Sequence, residues 1–304
     1  MLDVIVFIKS EGVNVRLDNL RDTLVSFEEK NKNLNYKFYL VLEPTIAKAL
    51  GQSAGDLLGK RAFNIVEPTG TWAEDFNLFL DKAEGLAEWL LITHDDVQFI
   101  TDDYFASITR EVSHLKDKIG WITSTSEHYY KNLNKMVTDT FRAGFYKDNN
   151  KWGAMFQLHY NDFNRIDYPS RPVKIHGPMS ALMITPMSSM KKIGQCENWT
   201  PYTMLVDEDW SLEALKNNLY NAWVPTVHHL HPNRIQKRKA FNRWDEQAHT
   251  AFLKKWGFDV GNARTAKWEQ GVSIGLEKLR KRWGHTFIPW SSYRNSYDWE
   301  FVDE

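Results

Sequence analysis

"EWLLITHDDVQFIT", residues 88–101, is the stretch whose reading decides the fold. It runs apolar and β-prone through Trp89, Leu90, Leu91, Ile92 and Thr93, then stops on His94, Asp95 and Asp96. Two carboxylates at the end of a buried strand have three uses: they ligate a divalent cation, cap the next element, or solvate a turn. Hard oxygen ligands suit magnesium or manganese, ions that take one or two protein carboxylates and complete their shell with substrate phosphates. The pair therefore points to a phosphate-bearing substrate.

Outward from this strand the pattern alternates. "DVIVFIKS" (3–10) reads as a strand, and "VRLDNLRDTLVSFEEKN" (15–31) sets Leu17, Leu20, Leu24 and Phe27 at helical spacing. "YKFYLVLEP" (36–44) is a second strand, "TIAKALG" a short helix ending at Gly51, and "RAFNIVEP" (61–68) a third strand. "TWAEDFNLFLDKAEGL" (71–86) predicts a helix capped by Thr71, with Glu74 three residues on. Strands alternating with helices predict a mostly parallel α/β sheet covered by helices. In such sheets ligands bind beyond the carboxyl ends of the strands, where His94, Asp95 and Asp96 fall. Residues 127–175, rich in Tyr, Asn, Lys and Asp, break the alternation and read as a loop-rich insertion.

Composition narrows the classes. The 304 residues are 42% hydrophobic and 25% charged, ordinary for a globular protein and enough to bury a full core. No run reaches the roughly 18 apolar residues of a membrane helix, so no transmembrane segment is expected. The opening "MLDVIVFIKSEG" reads as a strand rather than a signal peptide, and the expected location is cytoplasmic. A lone cysteine, Cys196, excludes a disulfide framework and a cysteine-based zinc site. The net charge of −1 is uneven: residues 232–304 hold a balance of +5 against −6 for residues 1–231. Within that tail "RIQKRKAFNR" (234–243) and "LEKLRKRW" (276–283) are dense enough to attract phosphate, or else form a solvated helix face.

A second constellation lies in residues 196–232. Asp207, Glu208 and Asp209 precede an amphipathic helix whose Trp210, Leu212, Leu215 and Leu219 can pack inward, and acidic residues also suit a helix's first turn for electrostatic reasons alone. "AWVPTVHHLH" then reads as a strand with His229 and His231 on one face and His228 on the other.

Together the order of these features, over roughly residues 3–231, resembles a family 2 type glycosyltransferase of the GT-A fold. The resemblance implies a Rossmann-like, mixed but mostly parallel sheet flanked by helices. It divides the chain into a GT-A domain over 1–231 (nucleotide-sugar half 1–100, acceptor half 101–231) and a basic, aromatic-rich helical appendage over 232–304. The family's acidic run matches His94, Asp95 and Asp96, with its first acid replaced. Asp96 inherits the role of metal ligand, and Asp95 a place near the ribose or the metal. The family's late histidine ligand falls on His231, or on His229 if the strand is offset. The glycine-containing turn matches Gly194 to Asn198, and the acidic pair Glu208 and Asp209, with Asp209 as the catalytic base. The stretch "SLEALKNNLY" lacks the arginine often found there. Glu43 sits where the family commonly meets the base or ribose of the nucleotide. Trp72 and Asp75 sit where it touches the nucleotide, although Trp72 replaces a usual glycine.

The implied activity is transfer of a sugar from a nucleotide-diphosphate donor, a UDP-sugar foremost, to a hydroxyl acceptor with inversion, helped by Mn²⁺ or Mg²⁺. Acceptors compatible with the sequence are a glycan, a lipid-linked glycan, a protein side chain, or a nucleic acid such as a hydroxymethylated DNA base. Two other classes compete. One is a zinc hydrolase built on the "HHLH" segment with Asp95 or Asp96, although no HExxH is present. The other is a non-catalytic carbohydrate- or nucleic-acid-binding protein using the tail and the aromatic rings of Phe241, Trp244 and Trp283.

Overall fold

The computed structural model describes residues 1–10, 17–57, 63–130, 135–141, 153–154, 157–158, 170–175, 177–178, 181–199, 205–231, 242–256 and 260–261. Three strand–helix steps open the chain. β1 (Leu2–Ser10) leads to α1 (Leu17–Lys30), β2 (Tyr36–Leu42) to α2 (Pro44–Leu57), and β3 (Phe63–Val66) to α3 (Trp72–Ala83). β4 (Ala87–Thr93) follows, then β5 (Gln98–Phe99), α4 (Tyr104–Arg110), a 3₁₀ turn (Ser113–Lys118) and β6 (Ile119–Tyr130). The chain continues through β7 (Lys135–Phe141), β8 (Gly153–Ala154), β9 (Gln157–Leu158), β10 (Val173–Ile175) and β11 (Leu182–Pro186). After these come α5 (Met187–Ile193), α6 (Val206–Lys216), β12 (Tyr220–Leu230), α7 (Asn242–Trp256) and β13 (Val260–Gly261).

The main sheet runs in the order β10-β12-β6-β11-β4-β1-β2-β3. β3, β2, β1 and β4 are parallel, β11 is antiparallel to both β4 and β6, and β12 pairs parallel with β6. β4 and β12 therefore point the same way, with β11 and β6 between them in the sheet. This topology brings the carboxyl ends of β1, β2, β4 and β12 to one edge of the sheet.

Both faces are covered, which is why these strands read as continuous apolar runs. In β1, Val4, Val6 and Ile8 join a cluster with Leu20, Leu24 and Phe27 of α1, while Ile5 and Phe7 face Phe76 and Phe79 of α3 on the other side. α3 opens with a full capping box: the Thr71 hydroxyl accepts from Glu74 N at 3.2 Å and Thr71 N donates to Glu74 Oε2 at 2.7 Å. It stops where Gly85 turns left-handed, φ +74°.

Three expectations change. α2 passes through Gly51 and runs to Leu57, because a glycine ends a helix by turning left-handed and the left-handed glycines among the described residues are Gly85 and Gly194. α6 begins before the acidic triplet, so Asp207, Glu208 and Asp209 form its first turn; nearly all of its length is buried, rather than one face. The 127–175 region carries strands: β7 forms a hairpin with β6, in register from Ser126↔Asp139 to Tyr130↔Lys135. Gly120 in β6 lets α6 seat closely, since a Cβ there would lie 2.6 Å from that of Ala214 and 2.9 Å from Asn221 Oδ1. Among the described residues, no helix is long and apolar enough to cross a membrane. The segments "LEKLRKRW" and most of "RIQKRKAFNR", with Phe241 and Trp283, lie outside the described residues.

Candidate functional site

Among the described residues, the edge formed by the carboxyl ends of β4 and β12 holds a group of side chains that could bind a cation. His94 leaves β4 with its backbone N–H donating to the Ala181 carbonyl at 3.0 Å, and His231 leaves β12 with its N–H donating to the Glu127 carbonyl at 2.8 Å. These ties fix where the two side chains start. His231 Nε2 lies 3.3 Å from Asp96 Oδ1, and the His94 and His231 rings are 5.5 Å apart between centroids. One ligand atom from each of His94, Asp96 and His231 falls within 4.8 Å of the others, and all three residues are half-buried. Two imidazoles and a carboxylate make a donor set that fits a divalent transition ion better than magnesium, which favours all-oxygen shells.

The other histidines of "HHLH" point elsewhere. His228 Nδ1 is 2.9 Å from Glu127 Oε1, at a half-buried position. His229 is buried, and its Nδ1 is 2.6 Å from Ser124 Oγ, which in turn meets the Tyr104 hydroxyl. Of the three histidines in the segment, His231 joins the three-residue group with Asp96, and His228 and His229 do not. His94, which the sequence gives only as the replacement for an acid, joins Asp96 and His231 in the group that could hold a cation. Its position one residue past the strand was the available signal.

Beside this group, Asp95 accepts a hydrogen bond from the Ser10 hydroxyl at the end of β1. Burial pushes its carboxyl above the ordinary range, and the neighbouring Asp96 adds to the effect. Next to Ser10, Lys9 is buried and pairs with Asp75 Oδ2 at 2.7 Å, while donating to the Gly70 carbonyl at 3.1 Å. Asp75 Oδ1 accepts from both Thr69 N and Thr69 Oγ1. Burial alone would raise the Asp75 carboxyl, but the Lys9 and Thr69 bonds outweigh it and hold it below the usual value. Asp75 is thus engaged through both oxygens by the protein itself. Trp72 is half-buried, stacked on Phe76 at 5.1 Å and edge-on to Phe7 and Trp210, a wall of the aromatic core. Glu43 stands just ahead of α2, where its carbonyl accepts from Ile46 and Ala47.

Glu208 and Asp209 lie in the first turn of α6, beside Trp210, which meets Trp72. Asp209 is 2% exposed, and its Oδ1 accepts from Trp256 Nε1 at 2.8 Å and lies 2.8 Å from Lys255 Nζ. Burial lifts its pKa to about 6; Lys255 and Trp256 oppose that rise and Glu213 adds to it. Glu208 is raised well above the usual range by burial and by Asp207 beside it. The launch of α6 is unusual: Leu205 takes a left-handed backbone, φ +60°, a conformation that non-glycine residues adopt at a cost of about 1 kcal/mol or more.

No protein-family model matches the chain, and no curated protein matches its sequence. Its three-dimensional form is similar to the crystal structure of GalNAc-T7 with UDP, GalNAc and Mn²⁺, with a TM-score of 0.58 at 12% sequence identity. The match covers 98% of this chain and 57% of that one, so the chain spans little more than half of the other protein's length. The fold is that of a GT-A glycosyltransferase: a mixed, mostly parallel central sheet flanked by helices.

Proposed function

We propose that this chain is a metal-dependent glycosyltransferase acting on a nucleoside-diphosphate sugar, with a hydroxyl group as acceptor. The observation that carries the proposal is the His94, Asp96 and His231 group at the sheet edge where α/β folds bind ligands. The structural neighbour's bound UDP and Mn²⁺ support a UDP-sugar donor and manganese as the ion. A cation held there would neutralise the charge gathering on the departing diphosphate.

The chain's own groups then divide the work. Ser10 holds Asp95 beside the ion site, and the Lys9–Asp75 pair braces the turn at Thr69 and Gly70 on the same edge. Glu43, which follows β2, is the residue we assign to the nucleoside. Asp209 accepts the proton of the acceptor hydroxyl as that oxygen bonds the anomeric carbon. The bond to the diphosphate breaks in the same displacement, with its electron pair retained by the leaving group, so the anomeric centre inverts. A carboxylate with pKa near 6 suits this task, since it is ionised at neutral pH yet more basic than an ordinary aspartate. The motif order supports a reading as a family 2 type enzyme, with residues 1–231 as the transferase domain and the tail as an addition on the acceptor side.

A melting-temperature screen of nucleoside diphosphates and nucleotide sugars, each with and without Mn²⁺, tests the reading, because a bound ligand stabilises the fold by mass action. Stabilisation by UDP or a UDP-sugar only when Mn²⁺ is present is the expected result. No response to any nucleotide, or an identical response without metal, overturns it.

A further inference from the structure

The helix α7 belongs to the C-terminal segment, yet its best-packed face meets the residue assigned the central proton transfer. Ala248, Phe252 and Trp256 are buried at i, i+4 and i+8, with Lys255 half-buried alongside, so one side of the helix is turned onto the domain. Phe252 packs edge-on against Trp199 at 5.6 Å, and Lys255 and Lys216 each lie over the Trp256 ring, at 5.2 and 5.7 Å. At the end of this face two consecutive residues converge on one carboxylate. Trp256 Nε1 donates to Asp209 Oδ1 at 2.8 Å, and Lys255 Nζ reaches Oδ1 at 2.8 Å and Oδ2 at 3.1 Å.

Lys255 is itself held from three sides. Besides Asp209 it contacts Glu213 at 3.0 Å and Glu197 at 3.2 Å, so its ammonium has a fixed position and cannot swing into solvent without leaving three carboxylates. Among the described residues, Asp209 Oδ1 receives two donors and Oδ2 the longer lysine contact, so Oδ2 is the less engaged atom and the one we assign to take a further proton.

We infer that α7 is part of the transfer site, with Lys255 and Trp256 acting as positioning residues that orient the Asp209 carboxylate and keep it ionised. The inference rests on the assignment of Asp209 as base. It means that the domain over residues 1–231 does not carry a complete acceptor half. The charged and titratable groups around Asp209 are Glu213, with Asp207 and Glu208, on its own helix; Cys196 and Glu197 on the preceding loop; and Lys255 on α7. Cys196 stays a buried neutral thiol, pushed up by burial and by the charge of Asp209, so among the described residues Lys255 is the cation that offsets the acids.

The test uses the full chain labelled with ¹³C at the aspartate carboxyl carbon, the Asp209 signal being identified by its loss in Asp209→Asn. The wild-type midpoint is expected at about 6. Lys255→Met should raise it by about one unit or more, because an opposite charge within hydrogen-bonding distance lowers a carboxyl pKa by that order. Trp256→Phe should raise it by less, and Lys255→Arg should keep it near wild type. Melting curves of each variant verify that it is folded, and Trp256→Phe stands as the second arm if Lys255→Met does not fold. A wild-type midpoint in Lys255→Met and Trp256→Phe alike overturns the inference. Sugar transfer unaffected by Asp209→Asn overturns the assignment on which it rests, and loss of transfer in that variant with unmoved midpoints overturns only the role of α7.

Discussion

The sheet edge and the start of α6 use the same side chains in opposite environments. At the edge Asp96 is 19% exposed and faces two histidines, whereas Asp209 is 3% exposed at its side chain and lies under a lysine and an indole. The first arrangement can exchange a ligand: its groups are half-open and their donor atoms converge on a common point. The second holds a carboxylate away from water with its pKa lifted to about 6. Location on the fold decides the difference. Strand ends in a parallel sheet open towards solvent, while the first turn of a buried helix beneath another helix is sealed. An exchangeable cation is better served by the former, and burial of the latter kind is what raises a carboxyl pKa.

The largest effect that separates the two sites is kinetic. Asp209→Asn should keep metal and nucleotide binding while lowering transfer by about 10² to 10⁴, the usual scale for a general base. Single-turnover rates together with nucleotide binding measured on the same variant check this, and unchanged turnover would leave Asp209 a purely structural acid. Asp75 provides a third case, buried and paired within the protein. Asp75→Asn should destabilise the fold by about 3–5 kcal/mol, because it strands the Lys9 ammonium, whose side chain is fully buried. Denaturant unfolding measures that loss, and a change under about 1 kcal/mol would show that Lys9 finds another partner.

A smaller effect appears in the pH profile. Asp209 must be ionised to accept a proton, so transfer at saturating donor and metal should fall about tenfold per unit as pH drops below about 6. A break nearer 4 would return Asp209 to the ordinary range and erase the contrast with the open edge. Smallest of all, His228→Gln should leave metal affinity unchanged and stability within about 1 kcal/mol, because the His228–Glu127 pair is partly exposed and outside the ligand group. Calorimetric Mn²⁺ titration checks that distinction among neighbouring histidines.

Much of the fold was legible because local signals and topology agreed. The alternation of apolar strands with helices capped by Thr71 or spaced as Leu20, Leu24 and Phe27 carried the three strand–helix steps. The junction of β4 with His94, Asp95 and Asp96 was visible for the same reason, since a strand buried on both faces must end where polar residues begin. The rest depended on long-range packing. His94 joins Asp96 and His231 only because β12 enters the sheet parallel to β4 with β11 and β6 between them, and no local pattern states that order. Burial of nearly all of α6 was equally hidden, because its acidic first turn looks solvated until α7 covers it. Lys255 and Trp256 sit in a segment that reads as basic surface, and their partner Asp209 lies 46 and 47 residues earlier.

The central claim is that the half-open edge binds a cation together with a nucleoside diphosphate. Its most direct test is titration calorimetry of UDP into wild type and Asp96→Ala, each with and without Mn²⁺. The account predicts Mn²⁺-dependent binding in wild type, its loss in Asp96→Ala, and similar melting temperatures for the two metal-free proteins. Equal UDP affinity in both proteins with Mn²⁺ present, or wild-type binding that ignores the metal, would contradict it.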